Sequence, residues 1–183
     1  MSPAGRAMPA AAPAERVIIG IDPGLASLGY GLVIERGGQA VHVVHGCLKT
    51  SASDPSELRL KIIYEEILSL LERYRPAAGG IEALYFFRNV SSALPVAEAR
   101  GVIKLAFAVA GVPLAEFTPN QIKKAVTGTA RADKLQVQEM VRILLGLAAI
   151  PKPDHAADAL AAAICRINSE GPAGLTAAGF SAL

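Results

Sequence analysis

The chain has 183 residues, with 18 Lys and Arg against 16 Asp and Glu, 52% hydrophobic residues, 5% aromatic residues and no Trp. This length and composition exclude an intrinsically disordered chain and predict one domain that buries its own core. Uncharged runs in the central part of the chain are much shorter than the roughly 18 residues of a membrane-spanning helix, so we expect no membrane span. We expect a disordered leader over residues 1–15, a folded domain over 16–168 and a flexible tail over 169–183.

The spacing of cysteine and histidine residues does not suggest a disulfide framework or a zinc site. Cys47 and Cys165 lie in apolar stretches without CxxC or Cys/His pairs. A reducing, cytoplasmic setting is the default for such a chain. His42 and His45 also show no ligand spacing, and we assign them, with both cysteines, to the fold.

The net charge of +2 is distributed unevenly along the chain. Residues 99–142 carry seven basic and three acidic side chains, whereas the segments on either side each have a net charge of −1. Lysines near helix starts neutralise phosphates without reading base sequence, although a solvated surface has the same composition. The basic side chains of this segment are Arg100, Lys104, Lys123, Lys124, Arg131, Lys134 and Arg142.

The first part of the chain predicts a three-stranded meander followed by a helix. Apolar, β-branched runs at residues 17–22, 30–35 and 40–48 are typical of strands, and a Gly-Gly turn joins the second to the third. Asp54 and Pro55 then have the pattern of a capped helix start, and apolar residues at spacings of three and four continue to residue 74.

Strands and helices alternate in the rest of the chain. Strands are predicted at residues 79–84 and 112–117, with a helix at 91–110 between them. Because the strand at 79–84 follows a helical crossover, it should pair parallel to an earlier strand. Three more helices follow, and the order βββαβαβααα predicts one α/β domain with a mixed five-stranded sheet flanked by helices.

Capping patterns define the starts of the last three helices. Thr118 with Gln121, and Asp133 with Gln136, have the spacing of a capping box. Asp154 is interpreted as the N-cap of the last helix, which is predicted to run to residue 167.

Four side chains could form a catalytic site. Asp22 ends an apolar strand, Glu82 lies within another, and His155 and Asp158 share one face of an Ala-rich helix. A carboxylate in a buried strand is costly to ionise unless it is paired or bound to a cation. Oxygen ligands of this kind suit Mg²⁺ or Mn²⁺, and two such ions about 4 Å apart catalyse phosphodiester cleavage.

Each of these residues also has a structural interpretation. Asp22 belongs to an Asp-Pro-Gly turn, Glu82 could be salt-bridged in its strand, and His155 and Asp158 could form an exposed face. Coincidence explains one such residue more easily than it explains all four occurring together in this pattern. His155 could ligate a metal or act as a general base, and the sequence does not decide between these roles.

The segment after Glu82 indicates a ligand-binding surface. Tyr85, Phe86 and Phe87 are consecutive aromatic residues, and Arg88 follows them. A strand cannot bury three neighbouring rings on one face, so at least one ring is free to stack on a nucleic-acid base. The alternative is that all three rings belong to the core or to a dimer contact.

Several segments together resemble the RuvC family of bacterial Holliday junction resolvases, over residues 16–167 and in the family's order. They are IGIDPG (19–24), IEALYFFRN (81–89), ARG (99–101), TPNQIKKAVTGTARADKLQVQEMV (118–141) and PDHAADALAAAIC (153–165). The resemblance implies an RNase H-like fold, a homodimer, and Mg²⁺-dependent paired nicking of four-way DNA junctions during recombination and repair. It also implies contact with the RuvA–RuvB branch-migration complex.

The resemblance assigns roles residue by residue. Asp22, Glu82 and Asp158 match the family's catalytic, metal-binding carboxylates, and His155 falls where family members have either Asp or His. Two Mg²⁺ ions per site are implied, with Mn²⁺ as a substitute. The resemblance also places Tyr85, Lys123 and Lys134 at positions linked to DNA contact. Phe86 and Arg88 from the aromatic segment, and Lys124 and Arg131 from the basic segment, are assigned to DNA binding from the residue pattern rather than from the resemblance.

Three alternatives accompany the leading hypothesis of a junction-selective endonuclease. A different RNase H-like nuclease could trim RNA, and an actin-like or sugar-kinase ATPase also has glycine-rich turns beside an aspartate. The length disfavours the ATPase, because such enzymes have two related domains. The third alternative is a DNA-binding module without catalysis.

Overall fold

A computed structural model of the chain describes residues 15–37, 39–84 and 90–170. The strands are β1 (Arg16–Asp22), β2 (Ser27–Arg36), β3 (Gln39–Lys49), β4 (Ala78–Glu82) and β5 (Leu114–Phe117). The helices are α1 (Ser56–Tyr74), α2 (Val90–Val109), α3 (Pro119–Thr127), α4 (Lys134–Leu144) and α5 (Asp154–Glu170).

The five strands form one mixed sheet in the order β3-β2-β1-β4-β5. β1, β2 and β3 pair antiparallel, as the predicted meander requires. β4 is parallel to β1, and β5 is parallel to β4. The predicted mixed, five-stranded α/β sheet is therefore confirmed.

Helices cover both faces of the sheet and enclose two apolar cores. On one face, α1 and α2 contribute Ile63, Ile67, Ile103 and Phe107. On the other face, α3, α4 and α5 pack against Ile18 and Val33 of the sheet, and their buried side chains include Ile122, Val141 and Leu160. None of the helices in the described part of the chain is long and apolar enough to cross a membrane.

Two of the four predicted helix caps are confirmed in detail. Thr118 and Gln121 form a complete capping box at α3, and Asp133 and Gln136 form another at α4. In each box the two residues exchange side-chain and backbone hydrogen bonds. The first box fixes the start of α3 after β5, and the second fixes the point where the connection from α3 enters α4.

The predicted start of α1 is wrong by one position. Pro55 is the residue before the helix, and no side chain caps it. Pro55 has a ψ of 146°, which is extended rather than helical, so the helix begins only at Ser56. Asp54 therefore lies too early in the chain to act as the cap, and its backbone N–H instead donates to the Ser51 carbonyl.

Several other boundaries differ from the predictions by a few residues. β2 begins at Ser27, β4 ends at Glu82 rather than at residue 84, and α5 continues to Glu170. Glu82 is consequently the last residue of its strand rather than an interior one. This position brings its side chain to the same end of the sheet as Asp22.

Candidate active site

Asp22 and Glu82 end two neighbouring parallel strands. Ile21 pairs with Ile81 in the β1–β4 register, so the two acids are the next residues along both strands. Gly20 and Gly80, two residues earlier, face α5. Because strand side chains alternate between faces, both carboxylates also lie on the α5 side of the sheet.

Glycines in the sheet let α5 approach unusually closely. A Cβ atom on Gly20 would lie 1.9 Å from the Ala159 carbonyl oxygen, and one on Gly29 would lie 2.0 Å from the His155 carbonyl oxygen. The backbone of α5 therefore lies directly on β1 and β2, where any larger residue would clash. This contact places His155 and Asp158 over the ends of the strands.

His155 and Asp22 are in direct contact. His155 Nδ1 lies 2.6 Å from Asp22 Oδ2, and the Asp22 side chain is only 15% exposed. Burial raises the pKa of Asp22, and the hydrogen bond from His155 opposes that shift. The imidazole is thus oriented by the carboxylate at the end of β1.

The three carboxylates interact with one another electrostatically. Burial, together with the nearby Asp22 and Asp158 carboxylates, raises the pKa of Glu82 to about 7. Burial also raises the pKa of Asp158, although Lys134 opposes this. Like charges held this close resist simultaneous ionisation, and a bound cation would relieve the repulsion.

The donor chemistry of the site fits a hard divalent cation. Three carboxylates and one imidazole on rigid elements are ligands that Mg²⁺ and Mn²⁺ accept. In the described residues, however, no three His, Cys, Asp or Glu side chains are gathered closely enough to hold one ion. Asp22 and Asp158 instead bind His155 and Lys134, so a metal ion would have to displace hydrogen-bond partners.

Lys134 connects α4 to two acids of α5. Its Nζ lies 3.2 Å from Asp154 Oδ2 and 3.4 Å from Asp158 Oδ2. The N-cap interpretation of Asp154 is wrong, because Asp154 lies within the first turn of α5. Its two carboxylate oxygens are held by Lys134 and Lys152, so Asp154 belongs to the edge of the site.

A cleft of about 190 Å³ opens beside Glu82 and Asp158. Lys123 and Lys134 line its wall, and both were predicted from the sequence to contact DNA. Lys124 and Arg131 are exposed outside the cleft lining. Tyr85, Phe86, Phe87 and Arg88 lie outside the described residues, so their predicted roles stay predictions.

Three cations of the basic segment, none of them among the residues assigned to DNA binding, are paired with acids from the same segment. Arg100 is buried and donates to Glu116 Oε2 at 2.6 Å and to the backbone carbonyl of Glu82. Lys104 also binds Glu116, and Arg142 binds Glu139. Sequence reasoning missed the supporting role of Arg100, because its partners lie 16 and 18 positions away.

Comparisons with known proteins agree with this geometry. The family model described as crossover junction endodeoxyribonuclease RuvC matches residues 18–166. The chain belongs to the RuvC family. The match covers every residue of the candidate site, and it rules out the actin-like ATPase alternative.

Individual relatives support the family assignment. The crossover junction endodeoxyribonuclease RuvC of Treponema denticola is 52% identical over 82% of this chain and 85% of its own. That of Thermosipho melanesiensis is 51% identical over 81% of this chain and 94% of its own. The solved structure of T. thermophilus RuvC in complex with Holliday junction substrate matches with a TM-score of 0.78 and 38% identity, over 82% of this chain and 92% of that chain. The fold of this RuvC-family chain is therefore RNase H-like.

Proposed function

We propose that the chain is a Holliday junction resolvase, an endonuclease that makes paired, symmetric nicks in four-way DNA junctions during homologous recombination and DNA repair. The observation that carries this proposal is the convergence of Asp22, Glu82, His155 and Asp158 at one end of the sheet. The named activity of its RuvC relatives and the junction bound to one of them support the substrate class.

We assign the four converging residues to a site for two Mg²⁺ ions, for which Mn²⁺ would substitute, with Asp22, Glu82 and Asp158 as ligands. Bound ions of this kind activate a water molecule and stabilise the oxygen that leaves the phosphodiester. The chain's own contribution is to hold the carboxylates at fixed strand ends and to orient His155 through Asp22. His155 serves either as a ligand or as the base that takes a proton from the attacking water.

Cations and aromatic rings beside the carboxylates would bind the junction. Lys123 and Lys134 line the cleft next to Glu82, where they would neutralise phosphates on either side of the scissile bond. We assign the exposed Lys124 and Arg131 to more distant backbone phosphates. We assign Tyr85 and Phe86 to base stacking and Arg88 to a phosphate, because these residues follow Glu82 directly in the chain.

The assembly follows from the reaction. Two symmetric nicks require two active sites, so we propose a homodimer. We further propose contact with the RuvA–RuvB branch-migration complex.

We also propose a cytoplasmic location, where the chromosome is. The free Cys47 and Cys165 are compatible with a reducing compartment. We propose that the nuclease domain extends from residue 16 to residue 168.

The test compares an active-site variant with a matched exposed variant. In Asp22→Asn, the substitution removes one charged ligand, so we expect junction binding to persist while cleavage falls by at least about 10³-fold. The control is Glu57→Gln, which alters an exposed carboxyl group on α1, the helix on the opposite face of the sheet. That variant should cleave at the wild-type rate.

Substrate choice separates the alternatives. Four-way DNA junctions, linear DNA duplexes and RNA are incubated with the wild-type protein, with and without Mg²⁺. Symmetric junction nicks that require Mg²⁺ support the proposal. RNA cleavage without junction cleavage indicates an RNA-trimming nuclease, and junction binding without any product indicates a binding module. Normal cleavage by Asp22→Asn would overturn the site assignment.

A further inference from the structure

His42 and His45 form a close pair of imidazoles on β3, separate from the carboxylate site. His42 Nε2 lies 2.7 Å from His45 Nδ1, and the ring centroids are 4.9 Å apart. Both side chains are half-buried, so solvent reaches the pair while part of each ring is packed. The two nitrogens therefore face each other at the surface of the sheet.

A β-bulge creates this arrangement. His42 pairs with Val33, whereas Val44 pairs with Leu32, so Val43 has no opposite residue on β2. Residues three apart in a regular strand point to opposite faces. The extra residue places both imidazoles on one face. For this reason, assigning the two histidines to the fold from their spacing alone overlooked their contact.

The pair has the chemistry of a metal-binding site. Burial lowers the pKa of both rings, and for His42 the neighbouring His45 lowers it further. Both imidazoles are consequently neutral at neutral pH and keep the lone pairs that metal ions require. In the metal-free pair one nitrogen donates a hydrogen bond to the other, so binding needs a change of tautomer and a rotation of the rings that turns both lone pairs toward the ion.

We propose that His42 Nε2 and His45 Nδ1 together bind one divalent transition-metal ion of the Zn²⁺, Ni²⁺ and Cu²⁺ class, with water in the remaining positions. Two metal–nitrogen bonds of about 2.0 Å at a right angle place their nitrogens about 2.8 Å apart, close to the observed separation. A tetrahedral Zn²⁺ site needs about 3.3 Å, which a small rotation of either ring provides.

The ligand set distinguishes this site from the nuclease site. Two imidazole nitrogens favour transition metals, whereas Mg²⁺ prefers oxygen ligands. Within the described residues, no third His, Cys, Asp or Glu completes the pair, so bound water fills the open positions. Because β3 is an edge strand of the described sheet, the ion would tie together the two sides of the bulge and stabilise that edge.

The experiment measures binding directly and does not depend on nuclease activity. Zn²⁺ is titrated into the purified protein by calorimetry in excess Mg²⁺, which saturates oxygen sites. We expect one equivalent to bind the wild-type protein and to raise its melting temperature. His42→Gln and His45→Gln should each weaken binding at least about tenfold, because each removes one of two protein ligands.

His155 provides the matched control, because it is the third and last histidine of the chain. His155→Gln should retain the Zn²⁺ site, and its Cu²⁺ complex should show coupling to two imidazole nitrogens in electron paramagnetic resonance. Zn²⁺ binding by the His42→Gln/His45→Gln double variant at wild-type affinity would overturn the proposal. So would a Cu²⁺ spectrum without two imidazole nitrogens. Melting curves recorded without metal check that each variant is folded. If only one of His42→Gln and His45→Gln folds, that variant alone still tests the proposal.

Discussion

His155 Nδ1 lies 2.6 Å from Asp22 Oδ2, although 133 positions separate the two residues in the chain. The contact joins the first turn of α5 to the last residue of β1. It depends on Gly29, the strand partner of Asp22, which leaves room for the backbone of His155. The geometry of the carboxylate site is therefore set by how closely α5 lies on the sheet.

This contact leads to a prediction for His155. If the imidazole is a metal ligand, His155→Asp should keep cleavage within about tenfold of wild type, because it supplies oxygen ligands at the same position. His155→Ala should lose about 10²-fold and require more Mg²⁺. Cleavage rates measured across a Mg²⁺ series test this. Equal losses in both variants at an unchanged Mg²⁺ requirement would instead identify His155 as the general base.

Glu82 should make the metal-free protein less stable as the pH rises. Its pKa is about 7 in the folded chain, against an ordinary value of 4.5. Between these values the folded state binds more protons, so stability falls as the pH increases through this window. In EDTA at pH 8, the free energy of unfolding of Glu82→Gln should exceed that of the wild-type protein by about 1–2 kcal/mol. This figure allows for solvent screening of the charge.

Thermal melting at two pH values checks this expectation. The gain should correspond to a few degrees at pH 8 and disappear near pH 4, where the wild-type carboxyl group is protonated in both states. The same substitution at the exposed Glu57 is the control. A Glu82→Gln variant that melts below the wild-type protein at pH 8 would contradict the repulsion among the carboxylates.

Asp154 should act as a positioning residue for Lys134. Lys134 is shared between Asp154 and Asp158. In Asp154→Ala the lysine binds Asp158 alone and competes more strongly with a cation. We expect the Mg²⁺ concentration for half-maximal cleavage to rise up to about fivefold. Direct Mg²⁺ binding by calorimetry should weaken in parallel.

Two further variants complete the Asp154 test. Lys152→Ala removes the other lysine on Asp154 and should leave the Mg²⁺ requirement unchanged. Lys134→Gln removes the competing ammonium group, so it should bind Mg²⁺ more tightly than the wild-type protein. It should also cleave more slowly, because it loses a cation that we assign to neutralising phosphates. An unchanged Mg²⁺ requirement in Asp154→Ala would show that Asp154 does not position Lys134.

Arg100 should be essential to stability rather than to phosphate binding. Its side chain is 8% exposed and connects Glu116 to the carbonyl of Glu82. Arg100→Ala leaves both acceptors without this donor and should cost about 2–3 kcal/mol in urea unfolding. Lys104→Ala removes an exposed partner of the same Glu116 and should cost less than about 1 kcal/mol. Equal costs would contradict the structural role of Arg100.

Gly20→Ala should separate α5 from the sheet. The new methyl group would lie 1.9 Å from the Ala159 carbonyl oxygen, so we expect a loss of about 3 kcal/mol or more and loss of cleavage. Gly101→Ala is the matched control, because a Cβ there meets nothing within 4 Å. In the helix α2 it should stabilise by about 0.5–1 kcal/mol. A stable, active Gly20→Ala protein would show that close approach is not required.

Much of the fold could be predicted from local patterns in the sequence. The meander, the parallel fourth strand and the capping boxes at Thr118 and Asp133 depend on residues close together in the chain. The four candidate site residues, which the structure brings to one end of the sheet, were also proposed from the sequence, because acids in apolar strands and on an Ala-rich helix are unusual. Asp54 and Asp154 were misassigned, because a carboxylate near a helix start has the same pattern whether it caps the helix or not.

By itself, the sequence determined which elements form, that the fourth strand pairs parallel to an earlier one, and the family to which the pattern belongs. Only the tertiary structure decided the partners of the charged groups. Arg100 is buried against Glu116, Lys134 is shared by two acids of α5, and a bulge brings His42 to His45. These contacts depend on strand register and on how closely helices pack, and both are set by the whole core rather than by neighbouring residues.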